Sequence, residues 1–350
     1  MLRKTVVLLI SVTIITGCFS GDSVNAAEKF RIAWSHYTGW EPWEFARHKG
    51  ILDKWAKKHG IAIQLDLVND YIESINLYTA GTYHGCVMTN MDALTIPAVG
   101  GVDSTALIIG DFSNGNDGIV MKKGDKVTDL KGREVKLVEL SVSHYLLARA
   151  LEMNKLSERD LKIINTSDAD IAAIFVSDPN GAVVTWNPPL MQCRNVKGAN
   201  LVFDSAKIPG EIIDMMVVRS NTPDTLKKAL TGAWYETMAM MSGKSKEAKE
   251  AIEHMAEFAG GTEAEFRAQI RTTSMFYKPA DAVSFVKGDK LKKNMEYVRS
   301  FCFDHGLYGD ADSKDFVGIQ FPDGAVVGDK ANVKLRFDAK FMQMAADGKL

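Results

Sequence analysis

The sequence predicts an α/β protein of two lobes, with a helical C-terminal part packed on the first lobe. Three observations carry that expectation. Between residues 30 and 110 short apolar runs alternate with stretches of helical spacing, which argues for βαβ units and a parallel sheet. The strand–helix count then restarts at Gly118 and runs to Arg219. From Thr222 onward the pattern is strongly helical. Crossovers between lobes are expected near Asp117 and Asp214, giving lobe one as 28–116 plus 217–350 and lobe two as 117–216. A chain of 350 residues, 46% apolar and 25% charged, is long enough for two such units. A net charge of −2 without basic patterning gives no reason to expect nucleic acid as a partner.

The elements follow in order. Phe30-Arg31-Ile32-Ala33-Trp34 is a short apolar strand. Helical spacing begins near Pro42, is interrupted at Gly50, resumes through Trp55 and stops at Gly60. Ile61 to Val68 alternates apolar and polar residues, the mark of a half-buried strand. Asn69-Asp70 caps a helix over Tyr71 to Ala80, Gly85 to Met88 is a buried strand, and Thr89-Asn90-Met91-Asp92 opens another helix. Leu107 to Ile109 is strand-like, and Gly110 to Gly118 reads as polar loop. In the second lobe, strands are expected over Gly118–Met121, Val135–Leu137, Leu161–Ile164, Ala182–Thr185, Leu201–Phe203 and Ile212–Arg219, with helices at Ser141–Met153 and from Ser157. The C-terminal helices are Pro223–Met241, Ser245–Phe258, Glu263–Arg271 and Leu291–His305.

The N-terminus differs from the rest. Arg3 and Lys4 precede an uncharged apolar run from Thr5 to Ile15, a secretory signal too short to span a membrane. Ile15-Thr16-Gly17-Cys18 resembles a bacterial lipobox, in which Cys18 becomes the lipid-modified first residue. Cleavage after Val24-Asn25-Ala26 is the alternative; Cys18 directly ends the apolar run, which favours the lipobox. Either way the mature chain is expected outside the cytoplasm, with a possible lipid anchor as its sole membrane contact. The remaining Cys86, Cys193 and Cys302 are an odd set with wide spacings, read as buried thiols, with one disulfide left open. No metal-spaced His/Cys cluster and no cofactor motif is present, and His36, His84 and His144 read as solvated or structural.

Trp34 to Glu44, W-S-H-Y-T-G-W-E-P-W-E, holds three of the six tryptophans on a strand-to-helix loop, the place where open α/β sheets put ligand crevices. Cleft-facing loops nominate Trp34, Tyr37, Trp40, Glu41, Asn90, Asp92, Asn116, Asp117, Ser143, Trp186, Asn187 and Asp214. This set is short of Arg and Lys. An anion site needs such donors or helix N-termini, whereas Trp with carboxylates suits a planar N–H donor such as guanidinium. Asp92 has a second reading as a helix cap and Asp117 as a hinge brace. Asp214, inside an apolar strand, requires a ligand or a partner such as Arg219 or Lys207.

Several motifs stand in a set order: Ala46-Arg47-His48-Lys49-Gly50-Ile51-Leu52 before Gly60 to Leu65; Leu130-Lys131-Gly132-Arg133-Glu134-Val135 before Ser143-His144-Tyr145-Leu146-Leu147; then Ala182-Val183-Val184-Thr185-Trp186-Asn187-Pro188-Pro189. The order resembles the substrate-binding proteins of nitrate/taurine/sulfonate-type ABC transporters over nearly the whole mature chain. The aromatic loop and the T-N-M-D stretch are more similar to the urea-carboxylase-associated subgroup, whose expected ligands are urea- or guanidine-like. The resemblance implies a periplasmic-binding-protein fold with two hinge crossovers, a monomer that closes on a small molecule, and an ABC permease with its ATPase as partners.

The expected function is therefore non-enzymatic capture of a small nitrogen-rich compound, guanidine- or urea-like. The alternative from the same fold is a receptor for a sulfonate, taurine or nitrate. A thiamine-pyrimidine precursor synthase also shares the fold, but such enzymes are cytosolic and carry a Cys-rich segment. A ligand of about four heavy atoms has a ceiling near 6 kcal/mol, about tens of micromolar, and a desolvated ion pair is the way to reach it.

Overall fold

The computed structural model describes residues 27–350. The signal segment and Cys18 lie outside the described residues. Two sheets organise the rest. The chain lays down β1 (Glu28–Trp34), β2 (Ile61–Leu67), β3 (Gly85–Thr89) and β4 (Ser104–Ser113) in one sheet. It then crosses to a second sheet for β5 (Asp117–Lys122), β6 (Glu134–Leu137), β7 (Lys162–Asn165), β8 (Ala182–Trp186) and β9 (Ala199–Asp204). It returns to the first sheet for β10 (Ile213–Arg219) and adds β11 (Thr273–Met275), β12 (Gly318–Gln320), β13 (Val326–Val327) and β14 (Val333–Phe337).

The first sheet runs in the order β13-β12-β14-β4-β10-β3-β1-β2, with β11 also on β4; the second runs β7-β6-β8-β5-β9. Both are mixed, which corrects the expectation of a parallel sheet. β10 is antiparallel to both of its neighbours, β3 and β4, and β5 is antiparallel to β8 and β9. These are the strands where the chain changes lobe, so each enters its sheet from the hinge end. A strand entering there opposes those fed by helical crossovers.

β10 also moves a predicted boundary. The sequence assigned residues up to 216 to the second lobe, but Ile213–Arg219 sits in the middle of the first sheet, and the return crossing is 205–212. Its continuous apolar run is what a central strand covered on both faces should carry. A further correction concerns 110–118: β4 continues through Gly110, Asp111, Phe112 and Ser113, leaving three residues, 114–116, as the first crossing. The C-terminal part is not purely helical. β14 reads V-K-L-R-F, an alternating pattern, and pairs in parallel with β4.

One apolar core runs through the first lobe and continues onto the face of the second sheet covered by the helix Val142–Met153. The opposite face of that sheet packs Val120 and Val183 against Ile171 and Phe175 of the helix Asp168–Ser177 and Leu190 of the helix Pro189–Arg194. Cys86, Cys193 and Cys302 are buried free thiols. Among the described residues, no helix is long and apolar enough to cross a membrane.

Candidate functional site

The strand ends that face the second lobe build the site. β10 lies between β3 and β4, and its register sets Asp214 opposite Thr89 on one side and Asp111 on the other. Laterally paired residues of a sheet share a face, so a threonine and two aspartates form a row at the rim of the lobe. β1 ends just before, and its loop carries Tyr37 and Trp40 over that row. The helix Tyr71–Thr79, capped by Asp70 through the Glu73 N–H at 2.9 Å, brings Tyr71. From the second lobe come Asp117 at the start of β5, Trp186 at the end of β8 and Val142 at the first turn of its helix.

Together with Ile212 these residues, Asp111 and the capping Asp70 and Glu73 excepted, enclose a cavity of about 10 Å³ between the lobes, about the space one water centre requires. Its aromatic walls are ordered against one another. Trp40 lies 5.0 Å from Tyr37 and 5.6 Å from Tyr71, and Tyr71 lies 5.4 Å from Trp186, ring centre to ring centre. Among the described residues, no Arg, Lys or His lines the cavity.

The carboxylates are the unusual part. Asp117 and Asp214 line the cavity; Asp111 sits behind Asp214, and Asp92 behind Thr89 and Tyr71. All four are buried, and among the described residues none has a basic side chain as a hydrogen-bonding or charged neighbour. Burial pushes Asp117 up to about 7, with the Ser113 hydroxyl opposing and the Asp92 charge adding. Burial pushes Asp92 up to about 6 against hydrogen bonds from Tyr71 and Thr89. Asp214 is driven well above the usual carboxylate range, by burial first and then by Asp111 and Asp117. Oδ2 of Asp214, Oδ2 of Asp111 and Oδ1 of Asp92 accept no hydrogen bond, and the Trp40 indole N–H donates none. Buried polar atoms are rarely left so.

Of the residues nominated from the sequence, Tyr37, Trp40, Asp117, Trp186 and Asp214 meet at the cavity. Asn116 and Asn187 stand behind it at the crossing, where the Asn187 N–H donates to the Asn116 carbonyl at 3.1 Å and to its side-chain oxygen at 3.2 Å. Asn90 clamps the return crossing, donating to the Glu211 carbonyl and accepting from the Ile213 N–H, both at 3.0 Å. Asp92 accepts from the Tyr71 hydroxyl at 2.6 Å and the Thr89 hydroxyl at 2.8 Å, positioning two walls without being one. Glu41 pairs with His36 at 2.7 Å. Ser143 is one residue beyond the wall formed by Val142.

Trp34 is brought elsewhere: its indole stacks on Phe258, centroids 6.0 Å apart and 28° between planes. Nor do Arg219 or Lys207 partner Asp214. Arg219 instead donates to the carbonyls of Tyr78 and Thr79. The residues not nominated are Tyr71, Thr89, Val142, Ile212 and, above all, Asp111. Tyr71 had a signal, an aromatic directly after a helix cap. Asp111 had none, because its stretch reads as loop.

The lobes are clasped around the cavity. The Trp186 indole N–H donates to the His36 carbonyl at 3.2 Å, the Tyr71 N–H to Asp168 at 3.3 Å and the Ser167 hydroxyl to Asp70 at 3.0 Å. At the crossings, the Ser205 hydroxyl meets that of Ser113 at 2.7 Å and accepts from the Gly115 N–H at 2.7 Å. A second, larger hollow of about 570 Å³ lies between the helices Val142–Met153 and Asp289–Asp304. It is open; Glu152 there accepts from Tyr297 at 2.8 Å, and Glu158 lies 3.3 Å from His144 and 3.5 Å from His305. Among the described residues, no group of three or more His, Cys, Asp or Glu is placed to hold a metal ion.

By sequence, neither a protein-family model nor a curated relative matches the chain. By structure it is similar to the alkanesulfonate-binding protein SsuA of Xanthomonas axonopodis pv. citri bound to MOPS, with a TM-score of 0.66 and 16% identity over 81% of this chain and 96% of that one. It is also similar to the periplasmic nitrate-binding protein NrtA of Synechocystis PCC 6803, at 0.56 and 12% over 93% and 100%. A Candida albicans protein described as exhibiting the generic periplasmic binding protein structural fold matches at 0.60 and 13% over 82% and 92%. The chain has that two-lobed α/β fold.

Proposed function

We propose that this chain is an extracytoplasmic solute-binding protein of an ABC importer, without enzymatic activity, that captures a small nitrogen-rich ligand of the guanidine or urea class between its lobes. A membrane permease and its ATPase would receive the ligand. Anchoring through Cys18 belongs to the same proposal, and the mass of the mature N-terminus tests it. The observation that carries the reading is the cavity lining: two buried carboxylates, four aromatic rings and no basic side chain. Carboxylate oxygens without donors suit a guest made of N–H groups, and ring faces attract its charge. The cavity's size favours a guest of very few atoms.

The second reading, a receptor for a sulfonate, taurine or nitrate, has the names of the similar structures in its favour. Against it stand Asp117 and Asp214, beside which an anion would have to sit with no Arg or Lys to offset them. A thermal-shift panel of guanidinium, methylguanidine, urea, taurine, an alkylsulfonate and nitrate separates the two, because a ligand stabilises the state it binds by mass action. Guanidinium or urea should raise the melting temperature at millimolar concentration. A response to taurine, the sulfonate or nitrate alone would sink the proposal.

A further inference from the structure

Asp111 and Asp214 are register partners on the adjacent strands β4 and β10, so both carboxyl groups stand on the same face of the sheet, and Oδ2 of each is buried without a hydrogen-bond partner. The Tyr37 hydroxyl donates to Oδ1 of Asp111 at 2.9 Å. Both residues are fully enclosed, at 0% and 3% exposure. The backbone of the aromatic loop presses on the pair: a Cβ at Gly39 would collide with the Asp111 carboxylate and the Tyr37 ring. No space is left for a lysine or arginine to reach in. The other titratable groups facing the pair are Asp117 from β5 and Tyr277 from the segment after β11, and neither carries positive charge. Two neighbouring carboxyls buried in such a place, with no cation beside them, cannot both be ionised.

We infer that the Asp111–Asp214 pair holds one proton when the site is empty and releases it to solvent when the ligand enters, so that the ligand is a permanently charged planar cation rather than neutral urea. The inference rests on the receptor reading above and narrows it. The exchange balances: a shared acid–carboxylate pair takes up one cation, loses one proton to water, and keeps its net charge. Burial raises both members of the pair, which is the direction the exchange requires. Neutral urea offers no charge to trade and would leave the proton in place. The guest's N–H groups would then meet a carboxyl that still carries a hydrogen of its own. Asp117 sits across the cavity as the second ionisable wall and supplies an acceptor from the other lobe.

Calorimetric titration of the mature chain with guanidinium chloride, and separately with urea, tests this in two buffers of equal pH and different ionisation enthalpy. About one proton should be released per guanidinium bound, so affinity should rise with increasing pH, by up to about tenfold per unit over the range below neutrality. Urea should bind far more weakly and release none. In Asp111→Asn, whose amide holds no exchangeable acid proton, the count should fall by about one while guanidinium still binds. Should that variant fail to fold, the slope of guanidinium affinity against pH in the unaltered chain gives the same proton count, and a slope of zero between about pH 5 and 7 overturns the exchange. Guanidinium binding with no proton released, or urea binding as tightly as guanidinium, overturns the exchange alone. A response confined to taurine or nitrate overturns the exchange and the receptor reading together.

Discussion

The two hollows between the lobes have opposite character. The open one, between the helices Val142–Met153 and Asp289–Asp304, is far larger; Glu152 there accepts from the Tyr297 hydroxyl, and Glu158 lies within 3.5 Å of the imidazoles of His144 and His305. The closed one is barely wide enough for a water, yet it collects carboxylates with vacant oxygens and an idle indole N–H. Space alone therefore points to the wrong place. Unmatched polarity in a dry setting costs several kcal/mol per charge unless something compensates it, so a fold that keeps such groups implies a guest that completes them. The lesson is that a site is better located by what is left unsatisfied than by volume.

That contrast can be broken or sharpened. The largest effect is expected from Asp214→Ala. Removing one side of a buried charge contact costs roughly 2–5 kcal/mol, so the guanidinium response in a thermal-shift titration should weaken by about two orders of magnitude or vanish. If it persists, the closed cavity is not the binding site. Next is pH. Asp92 and Asp117 lie above an unfolded aspartate, at about 6 and about 7. The folded state therefore holds protons that the unfolded chain has already lost. Empty-protein stability should be greatest near pH 4 and fall as pH rises through about 7, whereas saturating cation should flatten that slope. Denaturant melts across this window, with and without guanidinium, measure it. An empty protein that gains stability over the same range contradicts the charge assignment.

Smaller effects separate wall from clasp. Trp186→Phe keeps a ring in the cavity but removes the N–H bond to His36, a loss of about 1 kcal/mol. The apparent Kd should rise about five- to tenfold, with the dissociation rate carrying most of the change in stopped-flow fluorescence. The smallest change is expected in the open hollow. Glu158→Gln weakens a half-exposed pair with His144, which should shift stability by less than about 1 kcal/mol and leave the ligand response unaltered. A lost response in that variant would make the open hollow part of the site.

How much of this was legible in the sequence depends on which physical signal each residue carries. The aromatic loop announced itself by composition, and Tyr37, Trp40 and Trp186 meet as a result of lying on loops at strand ends. Trp34 differs from them only in which way its ring turns. That direction is decided by Phe258, more than two hundred positions away, which no local pattern encodes. Asp111 is the clearer case. G-D-F-S has weak strand preference on its own, and it becomes strand because β10 and β11 pair with it from both sides. Tertiary pairing overrode local preference there and hid half of the central carboxyl pair. The return of β10 to the first sheet was missed for a related reason: its apolar run marks a buried strand but not which sheet buries it.

The clasp has a kinetic corollary. Tyr37, Trp40, Tyr71, Trp186 and Asp214 expose almost nothing, and the same indole that walls the cavity ties one lobe to the other. A captured molecule has no doorway of its own and must wait for the whole jaw to part. Washout would then be timed by the Asn116 and Ser205 joints as well as by grip, and loosening those joints should shorten dwell time even with every wall intact.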